Sequence, residues 1–139
     1  MRVKTRVLDS WAVLEWIAGR QPAADAVAAL LAEAEDDRAR LLMSAINAGE
    51  VYYCLRKNHS RELAESWRES SPAMPVTFEV PTGPEVWSAA AIKAGFPIAY
   101  ADAFAAALSR KYACPLMTGD PEFRMVDHLE LDWIGRNDS

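Results

Sequence analysis

Short apolar runs that stop at a polar residue and hand over to alanine- and leucine-rich stretches recur along this chain, and few architectures accept such an alternation. "VKTRVLDS" predicts a strand from Val3 to Leu8 ending at Asp9, and "SWAVLEWIAG" predicts a helix capped by Ser10 and stopped at Gly19. "QPAADAVAALLAEAEDD" places Pro22 near the start of an amphipathic helix whose acidic residues lie opposite an Ala/Leu face. "RLLMSA" reads as a second strand, and helical spacing returns from Ile46 through Lys57 and, after a break at His59, in "RELAESWRES". β-Formers bracketed by prolines predict a strand at Val76 to Val80. "TGPEVWSAAAIKAG" is a helix with Thr82 as cap and Gly95 as stop, and "YADAFAAALSRKYA" an Ala-rich helix with basic residues in its last turn. "CPLMTGD" and "LDWIG" are the last strands. Short apolar strands that alternate with helices imply an α/β sandwich with a mostly parallel sheet.

At 139 residues the chain suits one domain, residues 1–139, long enough to bury roughly two thirds of its unfolded surface. Hydrophobic residues at 51% and charged residues at 25% exclude a disordered chain. Arg2, Lys4, Arg6 and Asp9 interrupt the start too closely for a signal-peptide core, and no uncharged stretch approaches the roughly 18 residues of a membrane span. The expected location is the cytoplasm, with no membrane partner. Cys54 and Cys114 are too few for a disulfide framework and are expected to be buried, reduced and inert. With His59 and His128 they form no CxxC, HxxxH or HExxH spacing, so zinc has little support.

In parallel sheets, sites form outside the carboxyl ends of the strands, where Asp9 and Asp120 both fall. Glu50 lies about one turn into the helix after the second strand, and Asp102 opens the Ala-rich helix before "CPLM". Ala105, Ala106 and Ser109 follow Asp102 at helical spacing and let that helix pack closely on the sheet. Each acid also has an ordinary role. Asp9 and Asp102 suit helix N-termini, Glu50 suits a solvated helix face, and Asp120 could cap a helix opened by Pro121 with Glu122 in its first turn. Acids gathered without a partner repel one another, and a hard divalent cation such as Mg²⁺ or Mn²⁺ resolves this. Such an ion activates water against a phosphorus atom, which is the logic of a metal-dependent nuclease. Removing four site acids from the net charge of −5 leaves −1, so the overall charge does not exclude RNA.

Asp9 in "VLDS", Glu50 in "INAGEVYY", Asp102 in "YADAF" and Asp120 in "MTGDPEF" resemble, in order and spacing, the acidic quartet of PIN-domain ribonucleases. The likeness covers almost the whole chain and is nearest to VapC, the toxin of bacterial VapBC toxin-antitoxin pairs. It implies a three-layer α/β/α domain and a Mg²⁺- or Mn²⁺-dependent endoribonuclease, dimeric, silenced by a VapB-type antitoxin lying across the active-site groove. Asp9, Asp102 and Asp120 carry over as metal ligands, Glu50 as a ligand or an orienter of water, and Ser10 and Thr118 as supporting hydroxyls. Trp11 departs from the pattern, since relatives often place a small hydroxyl residue there, and its ring is expected to narrow the groove.

Two rivals stand beside this expectation: a PIN nuclease that processes RNA without an antitoxin, and a non-catalytic PIN-like binding module. Receiver domains and phosphatases share strand-end aspartates, but Ser10 and Trp11 follow Asp9 where those sites need further acids. Arg56, Lys57 and Arg61 could guide a phosphate backbone, although cations are expected at a helix C-terminus in any case. Most of the five tryptophans are expected in the core, with Trp16 and Trp67 lining a groove for a partner helix.

Overall fold

Five strands, each of three to six residues, carry the alternation into three dimensions. The computed structural model describes residues 3–137; Arg2, one of the early charges noted above, lies outside them. The order is β1 (Lys4–Leu8), α1 (Ser10–Ala18), α2 (Ala23–Glu35), β2 (Ala39–Ser44), α3 (Ala45–Asn58), α4 (Arg61–Ser70), β3 (Thr77–Glu79), α5 (Gly83–Gly95), α6 (Tyr100–Tyr112), β4 (Leu116–Thr118) and β5 (Leu131–Trp133). Short 3-10 turns lie at Ser71–Ala73 and Pro121–Met125. Every expected helix and strand is present, with shifts of one or two residues at most ends.

The strands pair in the order β3-β2-β1-β4-β5, and every pairing is parallel. The sheet is therefore wholly parallel, not merely mostly so. Strand alternation splits the core into two layers. Leu8, Leu41, Met43 and Met117 pack with residues of α1 to α4, while Val7, Leu42 and Leu116 pack with α5 and α6. Each of these fully buried aliphatic side chains contributes about 1.5–3 kcal/mol. This is a three-layer α/β/α arrangement.

Helix α6 is buried continuously from Asp102 to Ser109. Its alanines let the helix approach the sheet on one side and α5 on the other, so the small-residue stripe expected on one face extends round most of the helix. No side chain caps its start, and Ala113 takes a left-handed conformation at its end. Helix α2 likewise has no side-chain cap at Pro22, and the remaining helix starts behave differently. Ser44, Ser60 and Thr82 accept from backbone N–H groups of α3, α4 and α5. Helix α1 is capped by Asp9 and not by the expected Ser10, because Asp9 is the last extended residue and its carboxylate reaches the Ala12 N–H at 2.7 Å.

Among the described residues, no single helix is long and apolar enough to cross a membrane. Both cysteines are free, with Cys114 buried and Cys54 half-buried; burial raises both thiols above their ordinary pKa, which leaves them unreactive. Trp67 is in the core, edge-on to Phe78 and donating to the Ala48 carbonyl at 3.0 Å, so it offers little ring to a groove. Trp16 packs partly buried against the same core, whereas Trp87 on the outer face of α5 is 77% exposed and does not meet the core expectation.

Candidate functional site

The chain runs outward from β1 to β3 and then returns to lay β4 on the other side of β1. The carboxyl ends of β1 and β4 thus lie side by side where the direction of winding reverses, the place at which open α/β sheets bind ligands. Val7 pairs with Leu116 and Leu8 with Met117, which brings the next residue, Asp9, level with Thr118. The Thr118 hydroxyl donates to Asp9 Oδ2, and the Ala12 N–H holds Oδ1. Asp9 is fully buried.

Thr118 Oγ1 also accepts from the Asp120 N–H at 3.1 Å, and Asp120 Oδ1 accepts from the Glu122 N–H at 3.0 Å. The 3-10 turn opened by Pro121 therefore folds back over Asp120. Gly119 between them has no room for a side chain: a Cβ would lie 2.2 Å from Trp11 Cη2 and 2.6 Å from Gly135 Cα. From the other layer, the Asn47 side chain donates to the Ala101 carbonyl at 3.0 Å and ties the start of α3 to the start of α6. That tie sets Glu50, one turn along α3, near Asp102 in the first turn of α6. Glu50 accepts from the hydroxyls of Ser10 and, at 3.4 Å, Tyr53.

Ligand oxygens of Asp102, Asp120 and Glu122 all lie within 4.8 Å of one another. Among the described residues, no Lys, Arg or His forms an ion pair with these three, with Asp9 or with Glu50. The charges are felt. Burial pushes the Asp9 carboxyl up to about 7, against the pull of the Thr118 and Ala12 hydrogen bonds, and the negative charges of Asp102 and Asp120 add to the rise. Burial likewise pushes Asp102 up to about 7, helped by Glu50, Asp120 and Glu122 and opposed by the Ala99 N–H. The Tyr53 hydroxyl is raised chiefly by the charge of Glu50. Asp102 with Asp120 and Glu122 at ligand distance, and buried Asp9 next to them, form an all-oxygen donor set that no ion pair among the described residues neutralises. That chemistry fits a hard divalent cation and suits zinc or copper poorly.

The rim gathers Asp102 and Asp120 directly, with Asp9 beneath them and Glu50 alongside, held through Ser10. Glu122 was expected only as a first-turn residue favoured by the helix dipole, yet it completes the closest group of oxygens. The signal was present in "DPE": two acids on either side of a proline at a strand end, where a tight turn returns both to one point. Asn47 also carried no expectation, although it is fully buried and its Oδ1 has no partner. Trp11 lies against Gly119, on a cleft beside the acids. Arg56 and Lys57 are exposed in the last turn of α3, and Arg56 donates to the Tyr52 hydroxyl, which in turn bonds Glu65. That connection gives Arg56 a role in joining α3 to α4.

A family model described as PIN domain matches residues 6–129. Among curated proteins, none matches the sequence. Solved structures share the fold at low identity. The Mycobacterium tuberculosis VapC20 toxin, which cleaves the sarcin-ricin loop, superposes with a TM-score of 0.70 at 16% identity, over 86% of this chain and 92% of that one. VapBC2 of Rickettsia felis, bound to a promoter DNA fragment, gives 0.69 at 14% identity, over 92% and 97% of the two chains. VapBC-1 of nontypeable Haemophilus influenzae gives 0.65 at 20% identity, over 93% and 97%.

Proposed function

This chain belongs to the PIN-domain family, and from that membership we propose that it is a metal-dependent endoribonuclease, the toxin of a VapBC-type pair. The observation that carries the reading is the group of Asp102, Asp120 and Glu122 oxygens within 4.8 Å of one another, at the sheet's switch point and with no ion pair to a basic side chain among the described residues. Asp102 and Asp120 would hold Mg²⁺ or Mn²⁺ with Glu122 or a water completing the set, and Asp9 would close the site from below. Asp9 retains a lone pair on each oxygen after its two hydrogen bonds, so it can serve as a further ligand.

A bound cation supplies Lewis acidity toward water and toward the leaving oxygen of a phosphodiester. The protein's own residues do the rest. Ser10 and Tyr53 hold Glu50 at the edge of the acid group, where its carboxylate can orient the attacking water and take its proton. Thr118 fixes Asp9 and Asp120 together, since its one hydroxyl donates to the first carboxylate and accepts the second residue's N–H.

RNA as substrate, a VapB-type antitoxin, a homodimeric state, one nuclease domain over 1–139 and a cytoplasmic location belong to the same proposal. They are supported by the likeness to toxins solved as VapBC complexes. Incubation of the purified protein with total RNA, with and without Mn²⁺, followed by mapping of cut ends, tests it. Discrete cuts that require the metal are expected. Intact RNA under both conditions overturns the nuclease reading and leaves the binding-module rival, while cleavage by a protein with no co-purifying or upstream-encoded small partner favours the antitoxin-free rival.

A further inference from the structure

The loops that present the acids also line a second feature on their other side. Gly119 and Pro121 flank Asp120, and Trp11 comes two residues after Asp9; all three border a cleft of about 460 Å³. Two residues span at most about 7 Å, so cleft and acids are neighbours along both loops. The cleft lies within the usual range of ligand pockets, about 300–1,000 Å³.

Its chemistry is the opposite of the acid group's. Arg20, Arg124 and Arg136 line it against a single carboxylate, Glu15, which is already held by Arg20 at 3.0 Å. Trp11 and Trp133 supply the aromatic surface, and the Arg124 guanidinium lies 3.7 Å from the centre of the Trp133 ring. In a chain of net charge −5, this concentration of cations beside two indoles is a local exception. Flat π-faces flanked by guanidinium groups suit the stacked bases and phosphates of a single strand, where each stacked base contributes about 1–3 kcal/mol. Gly119 and Gly135 make the cleft possible. Their backbones approach so closely that a Cβ on Gly135 would lie 2.8 Å from Gly119 Cα, and Trp11 closes the gap from the side.

We propose that the Trp11–Trp133–Arg124 cleft is a nucleotide-binding subsite that seats the residue of single-stranded RNA next to the phosphodiester held at the acid group. The inference rests on the nuclease reading for the second half of that statement alone. Binding in the cleft stands or falls separately.

The test is a titration of the full-length protein with a short single-stranded RNA, followed by tryptophan fluorescence. Ca²⁺ is used in place of Mn²⁺ because it takes the same oxygen ligands, and a gel confirms that the strand stays intact. The expected result is quenching in wild type, binding weakened about tenfold or more in Arg124→Glu and about fivefold or more in Trp133→Leu, and near wild-type binding in Trp133→Phe. Lys93→Glu makes the same change of charge on exposed α5 and should leave binding within about twofold of wild type. Should Trp133→Leu fail to fold, Arg136→Glu replaces it with the same expected direction. With Mn²⁺, KM for a cleaved RNA should rise in Arg124→Glu by the factor seen in binding. Binding of Arg124→Glu within about twofold of wild type, an equal loss in Lys93→Glu, or no binding by wild type would overturn the subsite. Binding that follows the expected pattern in a protein that cuts nothing with Mn²⁺ supports the cleft and removes the nuclease reading.

Discussion

The two ends of α6 bury carboxylates in opposite ways. Near its C-terminus, Lys111 reaches the largely buried Glu85 at 2.5 Å and Glu79 at 3.9 Å, and that contact with Glu85 raises the lysine above its ordinary pKa. At its N-terminus, roughly 14 Å away along the axis, Asp102 is 8% exposed, faces Glu50, Asp120 and Glu122, and forms no ion pair among the described residues. One end satisfies an internal charge with an internal partner. The other holds Asp102, its carboxyl pushed up to about 7 by burial and by neighbouring acids, and so reserves the counter-charge for something from outside. A fold that can pair Glu85 so closely does not lack the means to pair Asp102, which makes the lack of an ion pair to Asp102 among the described residues a property of the site.

The contrast breaks most visibly in activity. Asp120→Asn keeps a side chain able to cap the 3-10 turn but weakens the acid group, so RNA cleavage should fall by about a thousandfold or more while the metal-free protein melts at the same temperature or higher. A marked loss of thermal stability would instead make Asp120 a structural cap.

Stability should respond with opposite sign at the two ends of α6. Lys111→Met leaves Glu85 without its partner and is expected to lower the melting temperature by several degrees, whereas Asp102→Asn at pH 8 should raise it. Equal destabilisation by both would erase the distinction.

Metal should then discriminate between the ends in the same assay. At a concentration about 100 times Kd, Mn²⁺ contributes about 2.7 kcal/mol to wild type by mass action, a shift of several degrees, and less to Asp102→Asn. Lys111→Met should keep the full increment. Identical increments in all three proteins would argue against the rim as the binding place.

The pH dependence sharpens the comparison further. Asp9 and Asp102 titrate near 7 in the folded chain, above their ordinary value of 3.8. Between those values the folded state holds protons that the unfolded chain has released. Their contribution to metal-free stability is therefore full below about pH 4 and is lost as pH rises toward 7. The gap in melting temperature between Asp102→Asn and wild type should be small at pH 5 and widen by pH 8. The increment from metal should grow over the same range, because the ligands must be deprotonated. A gap that stays constant with pH would place the Asp102 carboxyl in the ordinary range. The smallest effect belongs to Thr118→Val, which removes the donor to Asp9 and should reduce metal affinity by about 10–100-fold with little change in fold.

Much of this was legible in the sequence because period and punctuation are local properties. Gly19, Thr82 and the proline-bracketed strand mark element boundaries whatever lies around them, and the strand-end acids Asp9 and Asp120 come together because β1 and β4 are neighbouring parallel strands. The parts that escaped are set by register and close approach. Whether Asp9 or Ser10 caps α1 depends on a single residue of helix phase, and the apolar run does not fix it. Glu122 joins the acids through the turn at Pro121, which the sequence offers equally as an ordinary helix start. The Trp11 position was visible as a departure, but its consequence required Gly119 and Gly135 to meet across two strands. No local pattern announces that meeting, and nothing near Trp87 in sequence explains why its ring is left in solvent.

The most direct measurement is an anomalous difference map from a crystal soaked in Mn²⁺. The expected result is a peak bonded to carboxylate oxygens of Asp102 and Asp120 at about 2.0–2.6 Å, with Glu122 or Asp9 in the same shell and nothing comparable beside Glu85 and Lys111. A map without a peak at the rim, its carboxylates instead turned apart or paired with a basic side chain, would contradict it.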